Sequence, residues 1–152
     1  MLLLAVIASL TIVGTTLARH APAGLIVDSV TRGTLAEEID FKLRGIEVET
    51  DGPVDVVALE ATFLKNGGSA GWHIHPGAVF VIVTSGTLSV WDAHCNKTTY
   101  SAGETFFEAG PRHPMLVKNE GTEDATVKGT FIVPVGATPL SEPSRHRCGI
   151  RD

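Results

Sequence analysis

Nowhere in this chain does a helical period of apolar residues persist for more than about two turns, and that rules out most of what a chain of this length could otherwise fold into. What the sequence offers instead is a succession of short apolar or alternating runs. Leu25-Ile26-Val27, Asp40 to Leu43, Ile46 to Val48, Val54 to Leu64, Val79 to Thr84, Thr87 to Trp91, Phe106-Phe107, Met115 to Val117 and Ala125 to Val133 are the clearest. Between them lie turn-forming residues, with Gly67-Gly68, Gly71, Gly77, Gly86, Gly103, Gly110 and Gly121 falling outside the apolar runs rather than within them. Thr34 to Asp40 is the best candidate for a short helix. Many short strands with this punctuation predict an all-β barrel or sandwich.

With 152 residues the chain makes one domain with a real core. Its net charge of −5 and scattered basic residues argue against a nucleic-acid partner, which needs a concentrated Lys/Arg face. Residues 1–18 carry no charged side chain, and Thr16-Leu17-Ala18 offers small residues of the kind a signal peptidase prefers, so this leader reads as an export signal or a short membrane anchor. Residues 19–24 form a linker, 25–135 the β domain and 136–152 a tail. The protein is accordingly expected outside the cytoplasm, touching a membrane only through an uncleaved leader. Cys95 and Cys148 are the only cysteines, and pairing them in an oxidising compartment would tether that tail.

Chemistry concentrates in Gly71-Trp72-His73-Ile74-His75-Pro76-Gly77. Side chains at i and i+2 of a strand share a face, so His73 and His75 can enter one cavity together, which is half of a metal site. A regular strand sends Trp72 to the opposite face. Glu104, Glu108 and Glu120 flank turns and read as solvated carboxylates, while His20, His94 and His146 fall in loops or tails.

These residues resemble the cupin family. Its first motif is a Gly, then His-x-His, then Glu, then Gly; here Gly67, His73, His75 and Gly86 are in register, with Val79 at the Glu position. The second motif is looser. Gly103 and Asn119 look like its ends, but its histidine position falls on Pro114 or Met115 depending on the end counted from, and the nearest imidazole is His113. The resemblance spans about Ala58 to Val135, and with the leader and cysteines it is similar to a group of exported actinobacterial cupins. It implies an antiparallel jelly-roll barrel whose cavity binds a small molecule, with a transition metal (Zn, Fe, Mn or Cu) held by histidines.

Three ligand sets stay open: His73, His75 and His113; the same pair with Met115, which leans toward copper; or no metal at all. The corresponding functions are a ligand-binding barrel with a weak metal site, a metal-dependent oxygenase or isomerase, and a structural or interaction module that has lost the site. A homodimer formed through sheet edges is the economical expectation for the assembly.

Overall fold

The structure, a computed structural model, describes residues 23–139, 142–143 and 148–150. The leader, most of the linker, part of the tail, His20 and His146 lie outside the described residues.

Alternation along the longest central strands explains how the sheets face one another. The strands are β1 (Leu25–Leu35), β2 (Asp40–Leu43), β3 (Ile46–Glu49), β4 (Val54–Phe63), β5 (Ser69–Ile74) and β6 (Ala78–Ser85), followed by β7 (Thr87–Trp91), β8 (Lys97–Ser101), β9 (Thr105–Glu108), β10 (Met115–Lys118), β11 (Ala125–Pro134) and β12 (Glu142–Pro143). On β4, β6 and β11 alternate residues point one way and most of them are apolar, so Val57, Ala61, Val79, Val81, Val83, Val127 and Phe131 fall together into one buried cluster. Two five-stranded antiparallel sheets result, ordered β1-β4-β11-β6-β9 and β12-β5-β10-β7-β8, and they close over that cluster. A separate ribbon, β2-β3, joins neither. This is the all-β antiparallel architecture expected of a cupin jelly roll.

Thr34 to Asp40 is not helical. β1 continues to Leu35 because it pairs with β4 along its whole length, and Thr34 Oγ1 donates to Asp55 Oδ1 at 2.7 Å. Asp55 is buried and also accepts from Arg32 and from the Gly136 amide at 2.8 Å, so one carboxylate ties β1, β4 and the start of the C-terminal segment together. The hydrogen bonds from Thr34 and Gly136 and the nearby Arg32 charge outweigh desolvation and hold its pKa below the ordinary value.

The C-terminal segment then crosses the second sheet. Arg32 Nη2 donates to Ala137 O at 2.6 Å, β12 pairs antiparallel with β5, and Cys148 is bonded to Cys95. Cys148 and Ile150 pack on Trp72, Trp91 and Leu116, a second buried cluster separate from the main core. Trp72 thus faces away from the barrel interior, as strand parity predicts.

Asn119 is structural. Fully buried, its side chain donates to Phe63 O at 2.9 Å and Glu123 O at 2.8 Å and accepts from the Gly121 amide, stitching the end of β10 to the turns around it.

Candidate metal centre

His73 lies near the end of β5 and His75 just beyond it, and the turn that follows is fixed by close backbone approach. A Cβ on Gly77 would come 2.0 Å from Ile132 O, so no other residue fits there without moving β11. With the turn pinned, both rings sit inside the barrel, each less than a tenth exposed, with centroids 4.9 Å apart.

The third member comes from the opposite sheet. Glu108 closes β9, where Phe106 and Glu108 share the inward face and Phe107 points out. Its carboxylate is buried, with Oε2 2.9 Å from His73 Nε2 and 2.9 Å from His75 Nε2. The ligand atoms of His73, His75 and Glu108 all lie within 4.8 Å of one another, the one such group of three His, Cys, Asp or Glu side chains among the described residues. Glu108 is therefore not the solvated carboxylate its turn-flanking position suggests. Glu104 and Glu120 are exposed, as expected.

The hydrogen bonds at the far side of each ring decide what this cluster can hold. His73 Nδ1 is 2.8 Å from Gly71 O, and His75 Nδ1 is 3.2 Å from Pro139 O. A carbonyl oxygen only accepts, so each Nδ1 carries the hydrogen and, in the neutral ring, each Nε2 presents a lone pair. Both lone pairs converge on a carboxylate oxygen, itself an acceptor. Two acceptor–acceptor contacts at 2.9 Å in a buried site are stable only with a cation between them, either a second proton on each ring or a metal ion. Donor atoms about 2.1 Å from an ion at right angles lie ~3 Å apart, which matches both nitrogen–oxygen separations. The donor set fits a borderline divalent ion.

Without a metal, burial alone would raise the Glu108 pKa. The charge of His73 and the hydrogen bonds from His73 and His75 outweigh burial and hold the carboxyl at about 2, below its ordinary 4.5. Because the folded-state value is depressed, the stabilisation is present above the unfolded value and is lost as pH falls through the folded one. In chelator-treated protein, the stability advantage of wild type over Glu108→Gln should therefore grow between pH ~2 and ~4.5, as read by urea titration at stepped pH. A gap that does not vary across that window would detach Glu108 from the imidazoles.

The structure places the other sequence candidates elsewhere. His113 is exposed in the loop after Gly110 and is not in the group of three. Met115 is half-buried, paired in register with His73 on the neighbouring strand, and packs against the main core. Val79, fully buried at the family's Glu position, is the cross-strand partner of Glu108. The carboxylate thus enters from the adjacent strand, directly opposite the position where the motif puts it.

Beside the cluster is a cavity of about 90 Å³. His73, His75 and Glu108 are its polar walls, and the other described lining residues, including Leu59, Val81, Phe106 and Phe131, are apolar. Phe131 meets His75 edge-on with centroids 5.2 Å apart. Pockets for drug-sized ligands run to roughly 300 Å³ and above, so this one admits only a small guest.

Comparison with known proteins agrees with the architecture. Residues 60–134, just under half of the chain, match the family model described as Cupin domain. The antiparallel all-β fold is consistent with a cupin jelly-roll barrel. Among solved structures, Peruvianin-I, described as a cysteine peptidase from Thevetia peruviana latex, has a TM-score of 0.50 at 17% identity, covering 60% of this chain and 57% of that one. A cupin 2 conserved barrel domain protein from Leptotrichia buccalis gives 0.46 at 18%, covering 69% of this chain and 41% of that one. An oxalate oxidase in complex with the substrate analogue glycolate gives 0.42 at 27%, covering 50% and 41%. This chain spans less than two thirds of each of these three, and the first likeness speaks to fold alone. No curated protein matches.

Proposed function

We propose that this protein is an exported cupin that holds a divalent transition metal on His73, His75 and Glu108 and binds a small molecule in the adjoining cavity. The observation that carries the reading is the convergence of two Nε2 lone pairs on one buried carboxylate oxygen, with both Nδ1 hydrogens already given to backbone carbonyls. Zn, Fe, Mn and Cu all suit a set of two imidazoles and one carboxylate. When bound, such an ion supplies Lewis acidity to a ligand oxygen. The chain's own residues orient the donors, keep both Nδ1 hydrogens donated to backbone carbonyls and exclude bulk water from the cavity.

A second reading, a metal-dependent oxygenase or isomerase, is favoured by the same three-donor count. Three protein ligands leave coordination positions free, and the apolar cavity opens on the donors. The reading as a module that has lost its site is disfavoured, since three buried donors have no structural need to converge. Export is supported by the uncharged leader and the Cys95–Cys148 disulfide. Among the described residues no helix is long and apolar enough to cross a membrane.

Elemental analysis of protein purified without chelator tests the proposal. About one equivalent of one transition metal is expected in wild type and well under a tenth of that in His73→Ala and His75→Ala. Equal, low metal in all three would overturn it. Metal-dependent turnover of a small substrate, lost in both variants, would select the enzyme.

A further inference from the structure

The cavity beside His73, His75 and Glu108 has two unlike ends, and the contrast specifies the guest. At one end are the three donors, and every other described lining residue is apolar, Leu59, Val81, Phe106 and Phe131 among them. Carbon is favoured against such walls, because it leaves water and meets hydrocarbon. A hydroxyl or amide set against the same side chains gives up its water without a hydrogen bond in return. The walls therefore select a guest with one polar head and a hydrocarbon body.

The room for that body is set by Gly129 and Phe131, both of which line the cavity. Glycine in the middle of a ten-residue strand costs backbone entropy and packs nothing. Its use here is space. A Cβ on Gly129 would lie 2.9 Å from Phe131 Cε2, so the ring lies back along β11 over the glycine and meets His75 edge-on. A side chain at 129 would lift the ring off the strand and into the cavity. With the ring laid back, the free volume is about 90 Å³. A cavity of roughly 150 Å³ holds benzene with its six carbons, so this one takes about four non-hydrogen atoms.

The head follows from charge. A divalent ion held by two neutral imidazoles and the Glu108 carboxylate leaves the centre one unit positive. In a buried, low-dielectric site a single negative charge on the guest cancels that excess, whereas a neutral or doubly charged guest leaves charge buried. Given that metal reading, on which this inference rests, we propose that the guest is a short-chain aliphatic monocarboxylate of about four carbons, its carboxylate at the His73, His75 and Glu108 centre and its hydrocarbon chain against Phe131, in the slot that Gly129 keeps open.

Isothermal titration calorimetry of the full disulfide-bonded chain loaded with Zn(II) tests this, with zinc measured in every sample. Butyrate is expected to bind at least ~10-fold more tightly than β-hydroxypropionate, which has the same length and ends in a hydroxyl, and than butyramide, which has the same shape and no charge. Hexanoate, too long for the slot, is expected to bind ~10-fold more weakly than butyrate. Phe131→Leu should close that gap, and Gly129→Ala should move the preference to acetate, with zinc content unchanged in both. If Phe131→Leu melts below the titration temperature, Leu59→Ala, at a half-buried lining position, replaces it and must also admit hexanoate. Butyrate that binds no more tightly than β-hydroxypropionate or butyramide overturns the inference, as does a ratio of hexanoate to butyrate that no folded variant moves. Full zinc with no butyrate binding up to ~10 mM overturns it and leaves the metal reading standing. A chain that retains no zinc overturns both.

Discussion

Glu108→Gln lowers the affinity for a divalent transition metal at least ~100-fold, close to 3 kcal/mol, while the protein stays folded. Glutamine keeps the shape of the side chain and deletes the one anionic donor among His73, His75 and Glu108, in a site where little water compensates for the lost charge. The metal-free protein responds in the opposite sense when neither ring carries a second proton. Then the wild type sets two Nε2 lone pairs against a carboxylate oxygen. The glutamine amide can donate to one of them and relieve the conflict. Chelator-treated Glu108→Gln is therefore expected to lose its stability deficit against wild type as pH is raised, despite its failure to bind metal. Competition titration against a coloured chelator, with parallel melting curves, reads both effects. A loss of affinity under ~10-fold would remove Glu108 from the ligands. A stability deficit that stays large at every pH in the metal-free protein would mean the carboxylate is there for structure.

Why Glu108 escapes a reading of the sequence is a matter of register. The strands Val54–Phe63, Ala78–Ser85 and Ala125–Pro134 are legible as apolar runs between turns. Val79 to Thr84, apolar on both faces, reads as covered on two sides, yet Phe80 and Ile82 are 47% and 46% exposed. His73 and His75 are legible because residues two apart on a strand share a face. A carboxylate delivered from the neighbouring strand is invisible to spacing along one strand, since nothing in the sequence states that Val79 pairs with Glu108. The available signal was parity: Phe106 and Glu108 share a face, so an inward phenylalanine implies an inward acid. Its proximity to the Gly110 turn outweighed that signal.

The remaining differences follow the same physics. β8 (Lys97–Ser101) is an edge strand, largely exposed and polar, and shows no periodic apolar residues to find. β1 reads as three apolar residues because beyond Val27 it is wet on both faces, and only its ladder with β4 carries it to Leu35. His113 looked close to the cluster because it lies two residues before Met115, but Pro114 separates the loop from β10, and the histidine stays in solvent. Met115, which counting back from Asn119 puts at the motif's histidine position, does pair with His73, and its side chain packs on the main core.

Removing the Cys95–Cys148 disulfide, by Cys95→Ser/Cys148→Ser or by a dithiol reductant, weakens metal binding about tenfold although neither sulfur lies in the site. The link is the second partner of His75. Its Nδ1 hydrogen goes to Pro139 O, which fixes the ring and leaves Nε2 to bind. Pro139 sits in a segment held at both ends. Upstream, Gly136 N donates to Asp55 and Arg32 donates to Ala137 O; downstream, β12 pairs with β5 opposite Ile74 and His73, and Cys148 is bonded to Cys95. Cutting the downstream anchor leaves the short β12 ladder and the packing of Ile150 to hold the carbonyl in place, so His75 gains rotational freedom that metal binding must then remove. His73 does not share this dependence, because its own carbonyl partner, Gly71 O, belongs to β5. Losing a cross-link over 53 residues also costs about 4 kcal/mol of stability on the chain-entropy account, so affinity must be compared well below the lower melting temperature. At that temperature the folded variant should retain the stoichiometry of wild type with a faster metal off-rate, and a Co(II)-loaded sample should show an altered visible spectrum. Affinity within twofold of wild type in the folded double variant would show that the tail covers the sheet without positioning His75.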